Sequence, residues 1–194
     1  MTELQIRRLY KAYGGHVVFH DFSADIPLEG ITVLRGASGA GKTTLFRLLL
    51  GLEQPDSGEI SGMSGRKPAV VFQEDRLLPW RNALKNVSIV SSEKAAERAL
   101  ERLGLGDSLH LLPRELSGGM RRRVALARAL AYGGDILFLD EPFTGLDEEN
   151  KRAAAREILD SKLPALVITH EEDEARLLGG FRTIGIPQAA GDLG

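Results

Sequence analysis

The stretch "LRGASGAGKTTLFRLLLGL", residues 34–52, sets glycine, alanine and serine ahead of a lysine, two threonines and a run of leucines. Gly36, Gly41, Lys42 and Thr43 fit the spacing G-x-x-x-x-G-K-[ST], which average residue usage would produce by accident in a chain of this length with a probability on the order of one per cent. Glycine tolerates positive φ, so a plain turn is one use for such a stretch. The other is anion chemistry. Backbone N–H groups of Ser38, Gly39, Ala40, Gly41, Lys42 and Thr43 can curl around phosphate oxygens, helped by the positive end of a helix opening at Thr44. Lys42 would bring a compact charge to the β- and γ-phosphates of a nucleotide, and the Thr43 hydroxyl would ligate Mg²⁺.

A phosphate loop needs a second strand bearing carboxylates, and "ILFLDEP" supplies one. Asp140 would emerge at the carboxyl end of a buried strand, where open α/β sheets bind ligands, and hold Mg²⁺ through water. Glu141 beside it could orient and deprotonate an attacking water. Two acids at a strand end could also be a solvated corner. "LSGGM", residues 116–120, opens a helix, and Ser117 would serve as its N-cap with Gly118 and Gly119 as a flexible entry. A helix N-terminus with a hydroxyl and bare N–H groups is equally an anion site. Two anion sites that one nucleotide cannot both fill suggest sharing between two copies.

The elements that must carry these residues are legible from periodicity. "LQIRRLYKAY", "HVVFHDFSADIP" and "GITVLR" read as strands with turns at 14–15 and 27–30; a short strand is expected at 59–60 and another in "AVVFQ", residues 69–73. From residue 84 to about 105 the period changes, and "EKAAERALERLGL" reads as a helix that Gly104 ends, followed by the helix of "GGMRRRVALARALAYGG". "DILFLDEP", "PALVITH" and "FRTIGI" read as strands, and "NKRAAAREILDSKL" and "EEDEARLLGG" as helices. Apolar strands alternating with helices imply an α/β fold: a mostly parallel central sheet covered on both faces, with an antiparallel β region at the N-terminus. The 194 residues are expected to form one domain, without repeats, low-complexity segments or linkers. With 25 basic and 27 acidic residues the formal charge is -2, so no general nucleic-acid affinity is expected. The absence of cysteine excludes disulfides and thiolate chemistry and is compatible with the cytosol. The start "MTELQIRRLYK" does not read as a signal peptide, and no run reaches the roughly 18 apolar residues of a spanning helix.

The order of "GASGAGKTT", "VFQEDRLLPW", "LSGGM", "LFLDEP", "GLD" and "VITH" resembles the nucleotide-binding subunit of ATP-binding cassette (ABC) transporters over about residues 4–186. The resemblance implies a phosphate-loop NTPase in which a core of about 1–73 and 130–194 carries a short inserted helical subdomain, about 74–129. It implies ATP and Mg²⁺ as ligands and a head-to-tail homodimer that sandwiches two ATP molecules, each between one copy's phosphate loop and the other's "LSGGM". Carried over by position, Tyr13 would stack on adenine, Gln73 would sense Mg²⁺ and the attacking water, and Ser117 and Gly119 would touch the opposite nucleotide's γ-phosphate. Asp147 would bridge the two sites, and His170 would hold the γ-phosphate in register with Glu141. A strand-end tyrosine, a surface amide and a structural histidine are the plain alternatives for Tyr13, Gln73 and His170. Further implied are transmembrane permease subunits docked near Gln73 and an apolar tip at 77–80, a substrate-binding protein acting through them, and a place on the cytoplasmic face of the membrane. "QEDRLLPWRNALKNV" is most similar to importers of nitrate, sulfonates, taurine and thiamine precursors.

Some positions depart from the family pattern. The stretch 86–117 is shorter than usual, which bears on permease docking. Arg122 stands where members commonly carry glutamine, making "RRR" unusually basic; a solvated helix face would explain it. "FTGLD" replaces the more usual glycine-alanine before "LD", and little chain follows His170, so no C-terminal regulatory domain is expected. Two other functions share the motifs: a soluble cassette ATPase of DNA repair or translation, and a regulatory cassette that binds ATP without hydrolysing it. The first is disfavoured by the lack of a coiled-coil insertion or second cassette, the second by Glu141 and His170.

Overall fold

The strands read as continuously apolar are the ones that end up buried on both faces. A computed structural model describes residues 3–187 and 191–192. Its elements in chain order are β1 (Glu3–Tyr13), β2 (His16–Pro27), β3 (Ile31–Arg35), α1 (Lys42–Leu49), β4 (Ser57–Ser61), β5 (Pro68–Val71), α2 (Ala83–Ser88), α3 (Glu93–Arg102), α4 (Gly118–Ala131), β6 (Ile136–Asp140), α5 (Glu148–Asp160), β7 (Ala165–Ile168), α6 (Glu172–Leu177), β8 (Phe181–Gly185) and β9 (Gly191–Asp192). A five-stranded sheet runs β5-β6-β7-β3-β8 with every pair parallel. A second sheet, β4-β1-β2-β9, is antiparallel.

Side chains alternate across a strand, so each buried strand feeds two cores. Leu137, Leu139 and Val167 meet helix residues such as Leu100, Val124, Leu126 and Ile158 on one face. Ile136, Phe138, Leu166 and Ile168 meet α1 and the antiparallel sheet on the other, through Leu45, Leu4 and Phe19. Phe138 stands edge-on to Phe46 with ring centroids 5.2 Å apart. Because the strands are parallel, the loop after β3, the end of β6 and the residues after β7 all open at one edge of the sheet, from three adjacent strands.

Local signals set the helix boundaries. Ser92, Ser117 and Asp147 accept from the N–H groups of Ala95, Met120 and Asn150 at 3.2, 3.2 and 2.9 Å, capping α3, α4 and α5. Gly104, at φ 69°, stops α3 where expected. Three details differ from the sequence reading. A short helix, α2, precedes the expected α3 and is separated from it by the Ser92 cap. The Asp147 cap starts α5 two residues before "NKRAAAREILDSKL". Finally, β9 pairs with β2 at His16 and Val17, a two-residue contact without a periodic signature.

Candidate active site

The loop between β3 and α1 turns twice through positive φ, at Gly39 (78°) and Gly41 (87°). The two glycines serve different ends. A Cβ on Gly39 would enter open space, whereas one on Gly41 would stand 2.4 Å from Val18 Cγ1 of β2. Gly41 therefore brings the loop against the antiparallel sheet. Lys42 begins α1 and folds back over the loop, where its Nζ donates to the carbonyls of Gly36 and Ala37, both at 2.8 Å. Gly36 contributes this carbonyl, and Ala40 turns its side chain into the core.

Across the edge of the sheet, Thr43 Oγ1 donates to Asp140 Oδ2 at 3.1 Å, joining residues 97 positions apart. Asp140 is buried, and burial pushes its carboxyl above the usual carboxylate range; the hydrogen bond from Thr43 and the charges of Arg122 and Lys42 oppose the rise. Burial likewise lowers the Lys42 ammonium, with Glu141 and Asp140 drawing it back. Asp140 and Lys42 each offset part of the other's shift. His170 Nε2 lies 3.0 Å from Glu141 Oε1, while Thr144 Oγ1 donates to the other carboxylate oxygen at 3.3 Å. Glu141 is held in the left-handed region, at φ 51°.

Ser38, Gly39, Gly41, Lys42, Thr43, Thr44, Tyr13, Gln73, Asp140, Glu141 and His170 line one cavity of about 340 Å³. His16, Val18 and Ile168 line it too, and the motif pattern had not singled them out. Tyr13 stands at its mouth, 44% exposed, with Lys11 Nζ 5.1 Å from its ring centroid. Its hydroxyl, whose pKa is pushed up to about 12 by burial and then by Glu53, donates to the Glu53 carboxylate. Ser117, Gly118, Gly119 and Asp147 do not line this cavity. Ser117 and Asp147 cap their helices, and Gly119 lies so near Gly145 that a Cβ would stand 2.5 Å from its carbonyl oxygen. One chain thus carries a phosphate-type loop with acid and histidine in one place and a serine-capped helix N-terminus in another.

Two positions changed meaning. Arg122 is not on a solvated helix face: it is 3% exposed, and its guanidinium reaches Phe72, Asp75, Asp140 and Glu141. The tip at 77–80 is only partly exposed, for Leu77 packs on the core while Trp80 is 73% exposed.

Behind His170, Thr169 Oγ1 donates to Glu174 Oε2 at 2.5 Å, and Lys151 Nζ lies 3.0 Å from Glu174 Oε1 and 3.1 Å from Glu171 Oε2. Glu174 is buried, and its hydrogen bond is the largest cause raising Lys151 to about 12. A lysine whose pKa is raised on folding contributes stability that is complete below its unfolded pKa of 10.5 and lost as pH rises through about 12. Lys151→Met is expected to lower stability by about 3 kcal/mol, since it strands a buried carboxylate. In denaturant titrations the loss should be constant over roughly pH 6 to 9, because the lysine is charged throughout that window in both states.

A parallel sheet in which β3 runs through a glycine loop into a helix, with an acid ending β6, one strand removed across β7, is the architecture of a phosphate-loop nucleotide-binding protein. The family model described as "ABC transporter" matches residues 19–144. Among curated relatives, the aliphatic sulfonates import ATP-binding protein SsuB 2 of Pseudomonas syringae pv. syringae is 43% identical over 90% of this chain and 66% of its own length. SsuB 1 of Rhodococcus jostii is 44% identical over 86% of this chain and 72% of its own. A solved dimer of the ATP-binding cassette MJ0796 in a post-hydrolysis state, bound to ADP and Pi, superposes with a TM-score of 0.84 at 25% identity, over 96% of each chain. The chain belongs to the ABC transporter family. Both the phosphate-loop fold and the likeness to sulfonate-type import ATPases are borne out, and the chain spans about two thirds of the length of the first of these relatives.

Proposed function

We propose that this chain is the ATP-hydrolysing, energy-coupling subunit of an importer of the sulfonate type, working as a head-to-tail homodimer around two ATP molecules. The observation that carries the reading is the meeting of Lys42, the Thr43–Asp140 pair and the Glu141–His170 pair in one cavity, while Ser117 and Gly119 are presented elsewhere. The N–H groups of 38–43 and the Lys42 ammonium bind the phosphates, and the exposed ring of Tyr13 offers a stacking face for the base. Glu141 takes a proton from water in line with the γ-phosphate, and His170 fixes the carboxylate that does so. Gln73 reports the occupied site to the segment beyond it. Ser117, Gly118, Gly119 and Asp147 meet the nucleotide held by the other protomer.

The residues present fit Mg²⁺, because a threonine hydroxyl and a carboxylate within 3.1 Å of each other are the hard oxygen donors that this ion prefers. Thr43 and Asp140, with Gln73, would hold it, and the ion would neutralise charge on the transferring phosphoryl group. Residues of about 74–129 act as a helical subdomain against a core of about 1–73 and 130–194. Among the described residues no helix is long and apolar enough to cross a membrane. As an importer's energy-coupling subunit it sits peripherally on the cytoplasmic face, held by permease subunits that dock beside Gln73 and the exposed Trp80, and meets a substrate-binding protein only through them. Nucleic acid is not a partner.

Two measurements test this. Purified protein is expected to release phosphate from ATP only with Mg²⁺ present, and the chain extracted from native membranes should co-purify with a polytopic permease. An active chain that co-purifies with no permease would favour a soluble cassette ATPase, and ATP binding without hydrolysis a regulatory cassette.

A further inference from the structure

Arg122 lies in the second turn of α4 and is buried, yet it carries a permanent charge. Buried guanidinium groups need an acceptor for nearly every N–H. Here Nη1 donates to the carbonyls of Phe72 at 2.6 Å and Gln73 at 3.3 Å and to Asp75 Oδ1 at 3.2 Å. Nη2 donates to the carbonyls of Asp140 and, at 2.7 Å, Glu141; Nε also donates to Glu141, at 3.1 Å. Asp75 is the one carboxylate in this set, and the other acceptors are main-chain oxygens from two segments of the candidate site. Arg128 of the same helix adds bonds to the carbonyls of Asp75 and Arg76 at 2.9 and 3.0 Å, so segment 72–76 hangs from α4.

Glu141 gives this arrangement its meaning. A left-handed conformation disfavours an ordinary residue by roughly 1–2 kcal/mol and persists where its surroundings hold it. The N–H of Glu141 donates to Ile168 O at 2.9 Å, and its carbonyl accepts twice from Arg122. The backbone of Glu141 is thereby held on both sides of its Cα.

We propose that Arg122 is a positioning residue for ATP hydrolysis: its guanidinium ties the backbone of Glu141 to that of Gln73 and so aims the Glu141 carboxylate at the attacking water. The inference rests on the reading of Glu141 as the base. It adds a route between the two sites of a dimer. Arg122 follows Ser117 by five residues on a continuous helix, about 7.5 Å along its axis, so contact between Ser117 and the partner's nucleotide is transmitted by a rigid element to the backbone of Glu141. Neither a neutral amide, with two N–H groups in place of five, nor a lysine, whose single nitrogen cannot span both segments, can reproduce the tie.

The test compares Arg122→Gln, Arg122→Lys and Arg122→Met with wild type, measuring steady-state phosphate release and equilibrium ATP affinity below the melting temperature of every variant. Arg122→Met is expected to lower kcat about 30-fold, with the affinity for ATP changed by less than about twofold, since the oriented group is lost and the phosphate loop is untouched. Arg122→Gln, which keeps a hydrogen-bonding side chain of smaller volume and protects the measurement if the methionine variant does not fold, should lose about fivefold in kcat, again at unchanged affinity. Arg122→Lys should do no better than glutamine. A folded Arg122→Gln protein with kcat within about 1.5-fold of wild type, or a fall in kcat matched by an equal fall in ATP affinity, would overturn the inference. Glu141→Gln, assayed alongside, separates the two levels: if it hydrolyses ATP at the wild-type rate the base assignment is wrong, whatever the Arg122 variants do.

Discussion

Glu141→Gln is expected to slow ATP hydrolysis by about 10²–10⁴-fold, the range for removing a positioned general base. Glutamine keeps the volume of the side chain and an oxygen able to accept from Thr144 or His170, which now lie 3.3 and 3.0 Å from the carboxylate. What it cannot do is take a proton at neutral pH. The phosphate loop is untouched, so ATP should bind with wild-type affinity. Because closure precedes cleavage in this account, ATP should drive the variant into a dimer that accumulates instead of resolving. Phosphate release and size-exclusion chromatography with and without ATP measure both halves; a variant that still turns over rapidly removes Glu141 from the proton-accepting role.

Lys42→Ala should produce the second large effect, this time on binding. The Lys42 ammonium is buried, anchored on two carbonyls of its own loop at 2.8 Å and faced by Asp140 and Glu141. Its removal takes away the charge aimed at the β- and γ-phosphates and leaves two acidic groups unopposed beneath an anionic ligand. A loss of about 3 kcal/mol is expected for deleting one partner of a buried charge interaction, or roughly a hundredfold in Kd for ATP. Isothermal titration at low ionic strength would read it, and unchanged affinity would remove Lys42 from the phosphate site. Comparison of the two variants is informative in itself: one should bind without turning over, the other should scarcely bind.

Much of this site could be read from the chain because its residues are tied to short-range geometry. Gly36, Gly41, Lys42 and Thr43 form one turn and the first residues of one helix, and Asp140 closes a run of buried residues. Parallel strands then bring Thr43 and Asp140 together without further information. The fold was legible for the same reason, since β6 and β7 are too apolar to be anything but central and the caps at Ser92, Ser117 and Asp147 mark where helices start. Arg122 was not legible. In "MRRRV" it looks like part of a charged helix face, and only contacts spanning 47 to 50 residues reveal it as a buried hub. Nor could the Thr169–Glu174–Lys151 cluster be found by pattern, as its members belong to a strand end and two helices that pack only in three dimensions. Gly41 could be read only as part of the phosphate-loop spacing, whereas its contact with Val18, which a Cβ would violate at 2.4 Å, is visible only in the fold. Local spacing announces chemistry; the support that holds chemistry in place is long-range and leaves little trace in the sequence.

The central claim is that each triphosphate is enclosed by two protomers, and complementation between two inactive variants tests it most directly. One protein carries Ser117→Arg, which blocks the helix N-terminus it offers to its partner and removes a cap worth about 1 kcal/mol; the other carries Glu141→Gln. Each alone should be inactive, having both of its sites impaired. Mixed in equal amounts and allowed to exchange, half of the dimers combine one of each and regain one intact site, so phosphate release should rise to about a quarter of the wild-type rate. If the mixture forms mixed dimers and yet releases no more phosphate than its components, the nucleotide is held within a single chain and the account is wrong.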